Sequence, residues 1–115
     1  FPSIAPDRSE PGQTSLEDKA RAVANQSDGS IIYLDQRLVL GDVFTLDIDG
    51  DGNPERKRDG IHVCPTGALR SAQWLIQELS TRFDGITPPI DDSWVTGDWA
   101  KDSRYDSPPG ACAPL

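Results

Sequence analysis

The spacing of apolar residues predicts two helices. In the stretch TSLEDKARAVANQ, Thr14 and Glu17 have the spacing of a capping box, and Leu16, Ala20 and Val23 fall on one helical face. From Thr66 to Phe83 apolar residues recur at helical spacing and predict a second, longer helix, with Leu69, Ala72, Ile76, Leu79 and Phe83 on its apolar face. The turn residues SDGS and DG end these two patterns.

Between the helices, the pattern changes to short apolar runs. The run Ile31–Leu34 is continuous and bounded by polar residues, which favours a buried strand of a parallel sheet. The stretch QRLVLGDVF fits one helical turn followed by a loop, and a hairpin is expected to turn at GDGNP. The final stretch is rich in Pro and Gly and is expected to be irregular, with Trp94 and Trp99 anchoring it to the rest.

The order helix, strand, hairpin, helix and tail predicts an α/β fold. One parallel strand and two helices cannot make a complete sheet with both faces covered. We therefore expect residues 1–83 to be part of a larger α/β domain whose earlier strands are missing, and residues 84–115 to be a tail packed on it.

Charge and composition exclude several classes of function. The chain has 115 residues and a net charge of −8, which fits one small domain that repels nucleic acids and anionic membranes. It contains no run of about 18 apolar residues, so no membrane insertion is expected. It begins at Phe1 without Met, so we expect either a processed protein or a piece of a longer one.

The two cysteines, Cys64 and Cys112, are too few for a disulfide scaffold or a Cys-rich zinc site. A disulfide between them is expected to stabilise the fold by about 3–4 kcal/mol and to indicate an oxidising compartment. The alternative is two thiols that never meet.

Asp59 and His62 are the first candidates for catalysis, because His62 is the only histidine in the chain. Histidine, with a reference pKa of about 6.5, is the simplest general base near neutral pH. A carboxylate on one ring nitrogen would fix its tautomer and stabilise the imidazolium that forms. A tight turn through Gly60 would bring these two side chains together. The alternative is that Asp-x-x-His arises by chance in a surface loop and has no catalytic role.

The stretch DGIHVCPTGALRSAQWLIQEL resembles the last conserved block of the SGNH (GDSL-type) hydrolases. The residues that carry the resemblance, in order, are Asp59, Gly60, His62, Gly67 and Ala68. The stretch ANQSDGSIIYLDQRLVL is similar to that family's last helix-to-strand unit. The ending WVTGDWAKDSRYDSPPGAC is similar to the tails of extracytoplasmic actinobacterial members, including SGNH domains fused to membrane acyltransferases.

The resemblance implies the C-terminal portion of a flavodoxin-like, three-layer SGNH domain, secreted or in the cell envelope. His62 would be the base of the catalytic triad and Asp59 its orienting acid. The substrate would be an ester or an acylated carbohydrate, hydrolysed or transferred without an organic cofactor. The Gly-Asp-Ser and oxyanion blocks of the family are absent, so the missing N-terminal part is the expected partner, and the chain alone is expected to be inactive.

The acidic loop offers a second kind of site. Asp47, Asp49 and Asp51, followed by Gly52, match the first half of an EF-hand calcium loop, although Arg58 occupies the twelfth position where a bidentate Glu is needed. Alternatively, the loop is a solvated turn neutralised by the basic run Arg56 to Arg58. A secreted, non-catalytic module with one disulfide and one calcium ion is therefore the rival to the enzymatic interpretation.

Overall fold

A computed structural model describes residues 13–41, 43–88 and 97–115, with side chains described from residue 17 onward. Three α-helices lie in these ranges: α1 (Gln13–Gln26), α2 (Arg37–Leu40) and α3 (Pro65–Ser80). A 3-10 helix spans Asp98–Lys101, and an isolated antiparallel bridge joins Arg56 to Val63. The described residues contain no β-strand, so the predicted α/β fold, and with it the flavodoxin-like sheet, is wrong.

The segment Ile31–Leu34, predicted to be a strand, explains why the α/β prediction is wrong. These residues form neither a helix nor a strand, and Ile31 and Ile32 are 50% and 44% exposed. No backbone hydrogen bond joins residues 32–34 to another part of the described chain. An apolar run indicates that a segment can pair and be buried, but a sheet needs a second strand beside it.

α1 begins at Gln13, two residues before the predicted first helical residue, Ser15, so Thr14 lies within the helix and is not its N-cap. Its Glu17 does not complete a capping box. The Glu17 carboxylate is buried and pairs with the Arg37 guanidinium at 3.1 Å. Arg37 also pairs with Asp35 at 2.7 Å, so these ion pairs connect α1 to the start of α2.

α3 agrees with the predicted second helix except at its C-terminal end. It starts with Pro65, which suits a first helical position because proline has no N–H to leave unbonded. It ends at Ser80, and the Thr81 hydroxyl just beyond it donates to the Glu78 carbonyl at 2.9 Å. In the turn that follows, the Leu79 carbonyl accepts the N–H groups of both Arg82 and Phe83, at 3.0 and 2.9 Å, and Phe83 lies outside the helix.

Apart from Glu17, the most deeply buried residues of the described chain include several near the start of α3. Leu40, from α2, and Cys64 are fully buried, and α2 packs on α3. Val39 contributes its carbonyl to the Arg70 side chain at 3.0 Å. Arg56 is also fully buried, with its guanidinium 5.3 Å from the centre of the Phe44 ring. The core of the described chain is therefore small and includes charged side chains.

The tail is attached to this core covalently. Cys64 and Cys112 form a disulfide across a sequence separation of 48 residues. The Lys57 ammonium donates to the Ser107 carbonyl at 2.9 Å, and the Leu115 N–H donates to the Gly52 carbonyl at 2.8 Å. Trp99 is half-buried and packs edge-to-face on Tyr105, with ring centres 6.1 Å apart, whereas Trp94 lies outside the described residues.

No helix in the described ranges combines the length and the apolar character needed to cross a bilayer. Because disulfides persist mainly outside the cytosol, the Cys64–Cys112 bridge indicates an oxidising compartment.

Candidate functional site

A short hairpin presents Asp59 and His62. Its arms are held by the Lys57 N–H donating to the His62 carbonyl at 2.9 Å and the Cys64 N–H donating to the Glu55 carbonyl at 2.8 Å. The turn closes with the Gly60 N–H on the Lys57 carbonyl at 3.1 Å, and Gly60 has φ +75°. Glycine reaches this left-handed conformation without steric cost, which explains why the residue between the acid and the base is Gly.

The turn brings the two predicted catalytic side chains into contact. The His62 Nδ1 lies 2.7 Å from the Asp59 Oδ2. The other carboxylate oxygen accepts the backbone N–H groups of Ile61 and His62 at 2.9 and 3.0 Å. Asp59 is thus held at three points, and its orientation does not depend on the histidine alone.

Electrostatics define the tautomer of the pair. Partial burial of Asp59 would raise its pKa, but the hydrogen bonds from the Ile61 N–H and from the ring and N–H of His62 outweigh it and lower the pKa to about 2. Near neutral pH the carboxylate is therefore ionised and can only accept. The hydrogen in the contact must then be on Nδ1, which leaves a lone pair on Nε2 when the ring is neutral.

The surroundings of the ring are open. The His62 side chain is 68% exposed and that of Asp59 is 36% exposed. No hydrogen bond joins Nε2 to another residue in the described part of the chain, and no serine hydroxyl there bonds the ring. A 270 Å³ cleft beside the dyad is lined by Asp59 and by tail residues 108–111, but His62 does not line it. The dyad has an accessible ring nitrogen, and none of the described residues places a nucleophile beside it.

A second cluster lies in the acidic loop, but its membership differs from the predicted one. Carboxylate oxygens of Asp47, Asp49 and Glu55 lie within 4.8 Å of one another. Asp51 is not in this group. Its carboxylate turns back to accept the N–H and the side-chain amide of Asn53 at 2.7 and 3.1 Å, which lowers its pKa.

Glu55 replaces Asp51 because the loop closes on itself. The Glu55 N–H donates to the Leu46 carbonyl at 2.9 Å, and its own carboxylate accepts the Ile48 N–H at 2.6 Å. The side chain is only 3% exposed and faces the loop interior. Counting from Asp47, Glu55 occupies the ninth position of the loop, and this was the available sequence signal for including it.

Lys57 and Arg58 of the basic run do not pair with the loop aspartates. Across the described residues, no ion pair joins either side chain to Asp47, Asp49 or Asp51. Instead Arg70 of α3 reaches Asp49 at 3.3 Å. Three carboxylates therefore converge with one peripheral cation, which is a donor set of hard oxygens suited to a cation such as Ca²⁺.

A larger cleft of 480 Å³ lies between the start of α3 and the tail, with the disulfide in its wall. Neither Asp59 nor His62 lines it. Comparison of the chain with protein-family models, with curated proteins and with solved structures gives no match.

Proposed function

We propose that the chain supplies the Asp–His pair of a serine ester hydrolase or O-acyltransferase of SGNH type. The observation that supports this proposal is the 2.7 Å contact between the Asp59 carboxylate and the His62 Nδ1, combined with an exposed Nε2 edge. The proposal rests on this pair and on the resemblance of its sequence block. It makes no use of the α/β sheet, which the described residues lack.

The chemistry follows from the tautomer. The Nε2 lone pair of His62 takes the proton from a serine hydroxyl as the serine oxygen attacks an ester carbonyl. Asp59 stabilises the imidazolium, which then returns the proton to the departing alcohol and leaves an acyl-enzyme. His62 next deprotonates water, giving a free acid, or a sugar hydroxyl, giving a new ester. No organic cofactor takes part.

The serine and the oxyanion donors come from another polypeptide segment, since the chain holds no Gly-Asp-Ser block. A substrate ester or acylated carbohydrate would bind where that segment meets the exposed ring of His62. The disulfide supports a secreted or cell-envelope location for the whole enzyme.

The test compares variants of the whole gene product that contains this chain, using p-nitrophenyl acetate. Removal of a triad histidine costs orders of magnitude, so His62→Ala should lower kcat/KM by about 10⁴-fold or more and Asp59→Asn by somewhat less. The 115-residue chain alone should form no acyl-enzyme. Arg104→Gln, at an exposed arginine in the tail, is the matched control and should be unchanged. Activity of His62→Ala within a few-fold of wild type would refute the proposal.

A calcium-binding module is the second candidate, favoured by the buried carboxylate of Glu55 facing Asp47 and Asp49. A carboxylate buried beside two others is unfavourable unless positive charge offsets it. The Arg70 guanidinium beside Asp49 offsets part of this negative charge, and a divalent cation would offset more. In this role the loop would stabilise the fold, and His62 would have no catalytic task.

Calorimetric titration with CaCl₂ tests this second candidate. Binding is expected with Kd of about 1 mM or tighter, the range of extracellular modules. Glu55→Gln and Asp49→Asn should weaken it, whereas Asp51→Asn should not, because the Asp51 carboxylate is turned toward Asn53. The absence of heat at millimolar calcium, or equal weakening by Asp51→Asn, would exclude the cluster as a calcium site.

A further inference from the structure

The cleft beside the dyad has an unusual charge for this protein. One wall is the segment Lys57, Arg58 and Asp59, and the other is formed by tail residues 108–111, enclosing 270 Å³. The chain as a whole carries a net charge of −8. The two cations Lys57 and Arg58 outnumber the one carboxylate, Asp59, and residues 108–111 are uncharged, so the lining is net positive in a chain that is net negative.

Arg58 differs from the other arginines of the described chain. Five of the seven described arginines pair with a carboxylate, namely Arg21, Arg37, Arg70, Arg82 and Arg104. Arg56 is buried against the Phe44 ring. Arg58 is exposed, and no carboxylate of the described residues pairs with it, although the chain has 19 acidic residues.

The other charges of the cleft already have partners. The Lys57 ammonium is buried and bonds the Ser107 carbonyl at 2.9 Å. Its charge also acts on Asp106, whose pKa is lowered first by the Gly110 and Cys112 N–H groups and then by Lys57. Asp59 is engaged by His62. The guanidinium of Arg58 is thus the group left to meet a ligand, and its planar donors match the two oxygens of a carboxylate or phosphate.

We propose that Arg58 binds an anionic group of the substrate, a carboxylate or a phosphate, in the cleft between the hairpin and the tail. This inference rests on the proposed function, because it places the anionic group of the ester next to the general base. The ester carbonyl then lies toward His62, and its charged substituent lies toward the tail. A neutral ester lacks this second attachment.

Anion binding is tested on the 115-residue chain by NMR, independently of any catalysis. Sodium acetate and sodium phosphate are titrated in separate series at constant pH, with ionic strength held by NaCl. The backbone amides of Asp59 and Gly110, on opposite walls of the cleft, report binding. Charge-assisted hydrogen bonds predict that Arg58→Gln weakens binding about tenfold or more, Arg58→Lys less, and Arg104→Gln not at all.

The outcomes separate the possible ligands. Saturable shifts with acetate indicate a carboxylate-bearing ester, and shifts with phosphate indicate a phosphate-bearing one. Shifts with neither anion, or shifts that persist unchanged in Arg58→Gln, overturn the inference. Because His62→Ala leaves Arg58 in place, loss of ester cleavage in that variant and loss of anion binding in Arg58→Gln are separate results, and one proposal can fail without the other.

Discussion

Two regions of the molecule are built differently. The disulfide region consists of residues 46–68 and 97–115, and the α1 region consists of residues 17–34. In the disulfide region a consecutive series of residues, 54–57, is buried, together with Gly60, Cys64 and Gly67. In the α1 region only Glu17 is buried, and Val23, Ile31 and Ile32 are exposed. In these two regions most of the buried residues are polar residues or glycines of the disulfide region, whereas several large apolar side chains of the α1 region are exposed.

The difference is explained by cross-links. In the disulfide region, backbone hydrogen bonds close both the acidic loop and the hairpin, and one disulfide joins them to the tail. Such closed loops bury polar residues because their donors and acceptors are satisfied locally. The α1 region has one long helix and an extended segment beside it, where the Arg21 guanidinium stacks 4.5 Å from the Tyr33 ring centre. Both candidate sites belong to the disulfide region.

In the comparison of the two regions, the largest loss in the free energy of unfolding is expected from removing the disulfide. Replacing both cysteines, Cys64→Ser with Cys112→Ser, opens a cross-link spanning 48 residues. The chain-entropy estimate for such a loop is a loss of about 3–4 kcal/mol in the free energy of unfolding. Guanidinium melts of the variant and of the reduced wild type should agree. A loss below about 1 kcal/mol would mean that hydrogen bonds alone hold the tail to the hairpin.

The next effect tests the packing of α3 on the acidic loop. A Cβ at position 67 would lie 2.2 Å from the Glu55 carbonyl oxygen, so backbone must move to admit it. Gly67→Ala is therefore expected to destabilise the fold by about 1–3 kcal/mol, although alanine normally favours a helix. Gln77→Ala, at an exposed position of the same helix, is the control and should stay near neutral. A stabilised Gly67→Ala variant would show that α3 does not lie against Glu55.

The sequence predicts the local features of the disulfide region and not how its segments pack with the rest of the described chain. Two cysteines allow one pairing, an apolar period of 3.6 identifies α3, and Asp-Gly-x-His specifies a tight turn because Gly60 can take a positive φ. Glu55 was missed as a member of the acidic cluster because its burial depends on how the loop closes. The strand at Ile31–Leu34 was predicted wrongly because pairing is a property of two segments, and the pattern describes only one.

In the disulfide region, Asp59 is expected to make the free energy of unfolding depend on pH. Its pKa in the folded chain is about 2, against an ordinary value of 3.8. A lowered folded-state pKa adds stability that is complete above about pH 4 and is lost as the pH falls through about 2. Because the side chain is 36% exposed, solvent screening reduces the contribution to about 1 kcal/mol.

Asp59→Asn should remove this part of the pH dependence between about pH 4 and 2, measured by urea melts. It should also change the ¹⁵N pattern of His62, since a neutral amide no longer requires the hydrogen on Nδ1. Asp102→Asn, at another aspartate with pKa about 2, held mainly by Arg104, is the control that leaves the ring unaffected. An unchanged His62 tautomer in Asp59→Asn would contradict the orienting role of Asp59.

The smallest change in the free energy of unfolding is expected from substitutions in the α1 region. Ile31→Thr with Ile32→Thr keeps the β-branched shape but removes apolar surface that is already about half exposed. The free energy of unfolding of the 115-residue chain should change by about 0.5 kcal/mol or less, as for surface positions. Leu40→Ala, at a fully buried residue, is the contrasting variant and should cost about 2–5 kcal/mol. If the double threonine variant instead lost more than about 1 kcal/mol, the two isoleucines would be buried in solution, and the contrast between the two regions would not hold.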